Sequence, residues 1–193
     1  MTSHIYHSLA SSILKILITT TIAMFGMIAG PVAHAQSVPV VTVAVSPLNS
    51  PFHAKVIGVI DGDTIRVLVS DDIGQKTIRL YGIDAPEKKQ KHGSESKQAM
   101  SDLVFNKTVV VFPISVDIYG RTIAKVFVEK TDIGLSMVCD GHAWWYCQYA
   151  KRDSQLARCQ KSAKQKHIGI WADGNPVAPW DFRKRKTSGN ISN

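Results

Sequence analysis

Four charged residues stand at or near the ends of apolar runs in the segment VIGVIDGDTIRVLVSDDIGQKTIRLYGIDAPE, which extends from Val56 to Glu87. They are Asp63, Arg79, Asp84 and Glu87. Asp63 shares parity with Ile65 and Val67, so a strand at this point would turn all three side chains toward the interior. A carboxylate on a buried face is costly unless a partner holds it. The segment is therefore a candidate site as well as a structural element.

Asp63 and Asp84 follow different apolar runs and are candidate ligands of a metal ion. Two carboxylates brought together need a cation, and oxygen ligands without a suitable set of His and Cys favour Ca²⁺ or Mg²⁺ over zinc. The spacing alone also allows two ordinary turn aspartates. Glu87 follows Pro86, which fixes the loop and can hold a carboxylate rigidly, as a general base requires. A solvated loop glutamate is the alternative.

Arg79 stands inside the apolar run IRLYGI, where a guanidinium group needs a carboxylate or phosphate partner. Strict alternation places Arg79 and Asp84 on opposite faces of a strand, so a shared site requires a bulge or bend at Gly82. Arg121 follows a Tyr-Gly turn, and its planar guanidinium group could donate paired hydrogen bonds to a phosphate from another side. Considered alone, Arg121 is also an ordinary surface arginine.

The chain is strongly basic, with 23 Lys and Arg against 15 Asp and Glu in 193 residues and a formal net charge of +8. Removal of residues 1–35 would take away Lys15 and no acid, which leaves +7. Such a surplus favours a polyanionic partner through long-range attraction and counterion release. A generic basic protein is equally consistent with charge alone.

Aromatic residues offer ring faces on which a base can stack, namely Trp144-Trp145-Tyr146 with Tyr149 beyond them. Such clusters more often belong to a core. Tyr149 lies beside Lys151 and Arg152, which makes it the best candidate of the four for contact with a base.

The N-terminus has the pattern of a secretory signal peptide. Residues 13–30 are almost continuously apolar, and Ala33-His34-Ala35 follows as a small-x-small site, which predicts cleavage after Ala35. We expect a secreted or periplasmic protein without stable membrane association after cleavage. An uncleaved membrane anchor is the alternative.

All three cysteines, Cys139, Cys147 and Cys159, lie in the exported part of the chain. An oxidising compartment favours one disulfide and one remaining thiol. Cys147 and Cys159 flank the same short connection and are the preferred pair, although the sequence leaves the pairing open. The spacing contains no CxxC, which argues against zinc.

The rest of the chain supplies the elements that must position these residues. We expect a linker or extended arm at 36–53, one domain at 54–172 and a basic tail at 173–193 that is mobile beyond Phe182. Strands are predicted at 54–61, 63–70, 76–83, 108–113 and 122–129, and the first two are joined by an Asp61-Gly62 hairpin. Helices are predicted from a Ser94 cap to 105, from an Asp132 cap to 140, and at 153–167.

This order favours an α+β fold that is mainly β, a five-stranded OB-type barrel with three helices, the first inserted after the third strand. A mixed α+β sandwich is the alternative.

Taken together, these residues resemble the staphylococcal nuclease family. Four segments carry the resemblance in chain order: IDGDT at 60–64, IRLYGIDAPE at 78–87, DIYGR at 117–121 and GIW at 169–171. The resemblance covers about 54–171, so residues 54–172 are expected to be a nuclease domain. It implies an OB barrel with three helices and Ca²⁺-dependent cleavage of DNA and RNA of the micrococcal-nuclease type, both endonucleolytic and exonucleolytic.

The resemblance also implies roles for the charged residues. Asp63 and Asp84 match the calcium carboxylates, and Ala85 stands where the family supplies a backbone carbonyl to the ion. Glu87 matches the general base for the attacking water, with the 5′-oxygen leaving to give 3′-phosphate products.

Arg79 and Arg121 match the two arginines that grip the phosphate, and Tyr119 and Tyr149 match tyrosines of the nucleotide pocket. Two positions depart from the pattern. Ile118 stands where the best-studied members have a lysine, and Cys147 replaces another pocket tyrosine. These departures concern base preference and nucleotide affinity, while the chemical core is complete.

A non-catalytic nucleic-acid-binding or protein-binding OB module is the rival hypothesis. Such a module would be expected to lack one or more of the three carboxylates and two arginines, and all five are present here. A basic exported protein that binds an anionic cell surface is a third possibility, but it leaves the charged constellation unexplained. We expect a monomer.

Overall fold

The structure is a computed structural model that describes residues 50–70 and 73–189, with side chains as far as Thr187. The predicted signal peptide and most of the predicted arm lie outside the described residues. Within the described ranges, no helix has the length and apolar character needed to cross a membrane.

The described chain contains eight strands, four α-helices and one 3₁₀ helix. The strands are β1 (Phe52–Val59), β2 (Thr64–Leu68), β3 (Gln75–Leu80), β4 (Ile83–Asp84), β5 (Thr108–Val116), β6 (Thr122–Val128), β7 (Thr131–Asp132) and β8 (Trp144–Trp145). The helices are α1 (Gly93–Val104), α2 (Ile133–Cys139), α3 (Ser154–Gln165), the 3₁₀ helix (Gly169–Asp173) and α4 (Pro179–Gly189).

Five of the strands close into a barrel. In the order β3-β2-β1-β5-β6 each strand is antiparallel to its neighbour, and parallel pairing of β3 with β6 joins the two ends. Alternating apolar residues of β2, Ile65 and Val67, are buried inside. The predicted α+β, OB-type barrel is confirmed, with α1 inserted after the third barrel strand. The described chain has four α-helices rather than three, because α4 was not predicted.

The connection between β1 and β2 is longer than the predicted hairpin. It comprises residues 60–63, and the backbone amides of Ile60 and Asp61 both donate to the carbonyl of Thr64. Gly62 is not among the residues with positive φ, so this glycine is not required for a two-residue turn. The β1 strand begins at Phe52, so the predicted arm ends two residues earlier than expected.

One of the two predicted helix caps is present in the structure. The side chain of Asp132 accepts a hydrogen bond from the Leu135 amide, which caps α2 as predicted. The predicted Ser94 cap is wrong. Helix α1 begins at Gly93, after His92, whose φ is 66° and whose side chain makes no capping hydrogen bond.

The disulfide joins Cys139 to Cys159, so the preferred pairing of Cys147 with Cys159 is wrong. Helices α2 and α3 pack against each other, which brings the end of α2 beside the middle of α3. Cys147 follows β8 and is a free, exposed thiol. Proximity along the sequence favoured the wrong partner because the helix packing decides the pairing.

The C-terminal segment forms helix α4 as far as Gly189, which the prediction of a tail beyond Phe182 did not include. Pro179 is the first residue of α4, a position for which its fixed φ is suited. The ring of Trp180 stacks on Tyr146, with 5.2 Å between the ring centroids and 5° between the planes. This contact attaches α4 to the connection that follows β8.

Asp153 provides a test of how α3 is held. Its carboxylate accepts hydrogen bonds from the amides of Gln155 and Leu156 and pairs with Lys125 of β6 at 3.3 Å. Burial acts to raise the pKa of Asp153, but the Leu156 hydrogen bond and the Lys125 charge outweigh it and hold the pKa below 3.8. We expect Asp153→Ala to lower the free energy of unfolding by about 1–2 kcal/mol at neutral pH.

The loss should depend on pH. Because the folded-state pKa of Asp153 is depressed, its charge contributes fully above the unfolded pKa, and the contribution is lost as the pH falls through the folded pKa. Urea unfolding of wild type and Asp153→Ala at neutral pH and at about pH 3 measures both quantities. A difference between the two proteins that stays constant or grows toward acid would contradict this account.

Candidate active site

A cleft of about 880 Å³ opens beside the barrel, and all eight residues proposed for the site from the sequence line it. These are Asp63, Arg79, Asp84, Ala85, Glu87, Tyr119, Arg121 and Tyr149. The fold therefore brings together residues that are distant in the sequence. Their assigned roles are predictions that placement alone does not test.

A sharp bend places Arg79 and Asp84 in the same site. Strand β3 ends at Leu80, Gly82 has φ of 75°, and Asp84 lies in the separate short strand β4, opposite Trp144 of β8. A residue with a Cβ rarely adopts that φ, so glycine suits this position. The bend predicted at Gly82 is thus present, and it overcomes the strand alternation that would separate the two side chains.

Arg79 bridges the two aspartates. Its Nη1 donates to Oδ1 of Asp63, and its Nη2 donates to Oδ1 of Asp84 at 2.8 Å. The side chains are 16% exposed for Arg79, 4% for Asp63 and 1% for Asp84, so the three charges interact away from most of the solvent. Burial acts to lower the pKa of Arg79, but the two neighbouring carboxylates raise it above its ordinary value.

Asp63 has further partners that favour its ionised form. Its Oδ1 also accepts from the Thr64 hydroxyl at 2.8 Å, and its Oδ2 accepts from the backbone amide of Ala85 at 2.8 Å. Burial acts to raise the pKa of Asp63, but the Arg79 charge and these hydrogen bonds bring it below the ordinary value. This satisfies the requirement that a buried carboxylate be held by partners.

Two further aspartates of the cleft, Asp84 and Asp61, have raised pKa values. Burial raises the pKa of Asp84, although hydrogen bonds from Arg183 oppose that effect. Burial and the Asp63 charge raise the pKa of Asp61 to about 7. Five acidic side chains and three arginines line the cleft, and an excess of acidic groups is the electrostatic condition under which a cation is attracted.

Gly62 allows the site to pack closely against α1. A Cβ on Gly62 would lie 1.8 Å from the Ser96 hydroxyl oxygen and 2.8 Å from the Ala85 Cβ. The Ser96 hydroxyl in turn donates to the carbonyl of His142 at 2.7 Å. Space, rather than a positive φ, requires a glycine in the Asp-Gly-Asp segment.

Arg183 is a residue of the site that the sequence did not reveal. From α4, its Nη2 donates to Oδ2 of Asp84 at 2.8 Å, and its Nη1 donates to Oε1 of Glu87 at 2.7 Å and to Oδ1 of Asp84 at 3.2 Å. The sequence shows only a basic run, RKRK, in a segment expected to be a mobile tail. No spacing relates this run to Asp84, so only the tertiary structure identifies the contact.

Arg121 enters the cleft from the turn between β5 and β6. Asp117 orients it, because Oδ2 of Asp117 accepts from the Arg121 Nε at 2.7 Å and Oδ1 accepts from the amides of Tyr119 and Arg121. The guanidinium carbon lies 5.4 Å from the centre of the Tyr119 ring. Tyr119 and Ile118 are 77% and 91% exposed, so their apolar surfaces are available at the rim.

The aromatic cluster divides between core and cleft. Trp144 is buried and packs edge-on against Trp171, with 5.2 Å between ring centroids. Trp145 donates its indole N–H to the Ala150 carbonyl. Tyr146 and Tyr149 line the cleft with their ring centroids 4.8 Å apart, and Tyr149 is 69% exposed. The role of Tyr149 in contacting a base stays a prediction.

The oxygen donors of the cleft fit a hard cation that takes a few ligands from the protein and the rest from water. Among the described residues, no group of three or more His, Cys, Asp or Glu is arranged to hold a metal. Asp63 and Asp84 supply two carboxylates, and further oxygen ligands would come from a backbone carbonyl, as expected of Ala85, and from water. Both oxygens of Asp84 are engaged by guanidinium groups, so a cation would have to take the place of an arginine contact.

Comparison with known proteins agrees with the geometry. The family described as staphylococcal nuclease homologue matches residues 77–173, a range that contains Arg79, Asp84, Glu87 and Arg121 and ends before α4. An uncharacterised endonuclease of Haemophilus influenzae is 42% identical over 132 residues, which are 68% of this chain and 73% of the relative.

Two further relatives cover more of the chain. The micrococcal nuclease of Shigella flexneri is 36% identical over 161 residues, 78% of this chain and 91% of the relative. An uncharacterised endonuclease of Escherichia coli O157:H7 is 42% identical over 140 residues, 72% of this chain and 90% of the relative. With the barrel and the cleft, these matches establish that the chain belongs to the staphylococcal nuclease family.

The bridge made by Arg79 predicts a large effect on stability. Arg79→Ala would leave two buried carboxylates without their shared partner, which we expect to lower the free energy of unfolding by about 3–5 kcal/mol in metal-free buffer at neutral pH. Urea unfolding followed by circular dichroism gives this value.

Arg66→Ala is the matched control, because Arg66 lies on the neighbouring strand β2 with its side chain exposed. It removes the same charge and should change stability by no more than about 0.5 kcal/mol. Equal, small losses in the two variants would contradict the structural role given to Arg79.

Proposed function

We propose that the protein is a Ca²⁺-dependent phosphodiesterase that hydrolyses DNA and RNA. The observation that carries the proposal is the convergence, in one cleft, of the Asp63 and Asp84 carboxylates, Glu87, and the guanidinium groups of Arg79 and Arg121. The net positive charge of the chain supports a polyanionic substrate. Relatives named as nucleases and endonucleases support the same class of reaction.

Asp63, Asp84 and the backbone carbonyl of Ala85 are the residues proposed to hold Ca²⁺. When bound, the ion would supply positive charge to the nonbridging oxygens of the scissile phosphate. The oxygen donor set supports Ca²⁺ over zinc.

The chain's own residues would carry the reaction as follows. Glu87 accepts a proton from a water molecule as the water oxygen bonds to phosphorus. Arg79 and Arg121 donate hydrogen bonds to the nonbridging oxygens, where negative charge accumulates. The bond from phosphorus to the 5′-oxygen breaks, and the 5′-oxygen takes up a proton, so the products end in a 3′-phosphate and a 5′-hydroxyl.

Exposed tyrosines at the rim are proposed to contact the nucleotide. Tyr119 and Tyr149 present ring faces on which bases can stack without regard to sequence. We also propose that the mature protein begins after Ala35, acts outside the cytoplasm as a secreted or periplasmic monomer, and makes no stable contact with membranes.

Digestion of closed circular plasmid DNA and of a linear single-stranded RNA tests the activity. With Ca²⁺ both should be cut, and with a chelator neither should be. We expect Glu87→Gln to lower the rate by at least about 100-fold, because a general base typically contributes that much or more. Glu95→Gln removes the same charge from an exposed position on α1 and should leave the rate unchanged.

The products identify the bond that breaks. Fragments should resist extension by a polymerase until a phosphatase removes the 3′-phosphate. Cutting that persists with a chelator, or wild-type digestion by Glu87→Gln, would contradict the proposal. Tight DNA binding without cutting at any Ca²⁺ concentration would instead support a non-catalytic nucleic-acid-binding module.

A further inference from the structure

Helix α4 closes over the acidic side of the cleft. Arg183 lies among the cleft-lining residues and contacts both Asp84 and Glu87. Two further contacts attach this segment to the site: Trp180 stacks on the cleft residue Tyr146, and the Gln90 side chain donates to the Val177 carbonyl at 2.6 Å. Two residues of α4, Trp180 and Arg183, therefore contact cleft residues, and Val177 just before the helix is held by Gln90.

The Gln90 contact connects the segment just before α4 to the proposed base. The side-chain oxygen of Gln90 accepts a hydrogen bond from the Glu87 amide at 3.1 Å, while its amide nitrogen holds the Val177 carbonyl. Glu87 is thus linked to α4 itself through its carboxylate, and to the residues just before α4 through its backbone amide and Gln90. A movement of α4 would change the surroundings of Glu87 as well as those of Asp84.

Arg183 and a cation would compete for the same oxygens. Arg183 donates to both carboxylate oxygens of Asp84, and Oδ1 of Asp84 also accepts from Arg79. Neither oxygen is therefore left to a cation while Arg183 is in place. A divalent ion beside Asp84 would also face the Arg183 charge at short range, which is unfavourable. The side chain of Asp84 is 1% exposed, which leaves few directions for an approaching ligand.

We propose that α4 is an autoinhibitory latch in which Arg183 occupies the cation-binding carboxylate Asp84 and the base Glu87 until a divalent cation displaces it. The inference rests on the proposed function, because it takes Asp84 as a ligand of Ca²⁺. The latch is part of this chain beyond the region that the family match covers, since α4 begins after residue 173. The helix carries a basic run, RKRK, so once it leaves the cleft carboxylates it can bind another anion through its positive charges.

Calorimetric titration of the chain with CaCl₂ in the absence of nucleic acid tests the competition. Arg183→Gln should bind Ca²⁺ about tenfold more tightly than wild type, the gain expected if the latch is closed about nine-tenths of the time. Arg185→Gln is the matched control, because it removes the same charge from an exposed position on the same helix. Its affinity should equal that of wild type.

Hydrogen–deuterium exchange separates displacement from a general change in cleft charge. Coupling between two binding events is reciprocal: if the closed latch weakens Ca²⁺ binding, bound Ca²⁺ must favour the open latch. Saturating Ca²⁺ should therefore accelerate amide exchange across residues 179–189 of the wild-type chain. In Arg183→Gln, exchange of this segment should already be faster without Ca²⁺. Slower or unchanged exchange on adding Ca²⁺ would overturn the latch.

The outcomes distinguish the latch from the function on which it rests. Equal Ca²⁺ affinity in wild type and Arg183→Gln would overturn the latch and leave the Ca²⁺ site intact. The same gain in Arg185→Gln would also overturn it, because bulk charge would then account for the effect. An absence of Ca²⁺ binding in all three proteins would overturn both the latch and the Ca²⁺ assignment.

Discussion

The bridge from Arg79 to Asp63 and Asp84 is the interaction on which the site depends. Two carboxylates that are almost inaccessible to solvent approach one another only because a guanidinium group lies between them. The bend at Gly82 and the narrow space at Gly62 both serve this arrangement, since the first turns Asp84 toward Arg79 and the second lets Ala85 approach Asp63. Closure of the barrel through β3 and β6 then brings the Arg121 turn to the same cleft.

The pairing of arginines with carboxylates in the cleft bears directly on the proposed chemistry. In the described chain each arginine of the cleft is paired with a carboxylate: Arg79 with Asp63 and Asp84, Arg183 with Asp84 and Glu87, and Arg121 with Asp117. A phosphate can draw such an arginine away from its carboxylate only if another positive charge then neutralises that carboxylate. A cation held by Asp63 and Asp84 would do this, so metal binding and phosphate binding are expected to support one another.

Much of the fold could be predicted from the sequence because its signals are local. Alternating apolar runs identified the five barrel strands, and Asp132 and Asp153 marked the starts of α2 and α3. The cleft residues came from charges inside apolar runs together with four family-like segments. The bend at Gly82 could be predicted because strict strand alternation would place Arg79 and Asp84 on opposite faces. A shared site for these two residues therefore requires a bend between them.

The features that were missed depend on long-range packing. The Cys139–Cys159 disulfide follows from the packing of α2 on α3, which the spacing of the cysteines does not encode. Helix α4 is highly charged and has little apolar periodicity, and Trp180 and Arg183 secure it through contacts with residues far away in the sequence. A local pattern could therefore not distinguish it from a solvated tail.

A crystal structure with Ca²⁺ and a phosphorothioate dinucleotide tests the central claim most directly. We predict an ion bound by Asp63 and Asp84, with the Arg79 guanidinium turned from the aspartates to a nonbridging oxygen of the bound phosphate. An ion bound elsewhere, or Arg79 still bridging the two aspartates beside a bound phosphate, would contradict it.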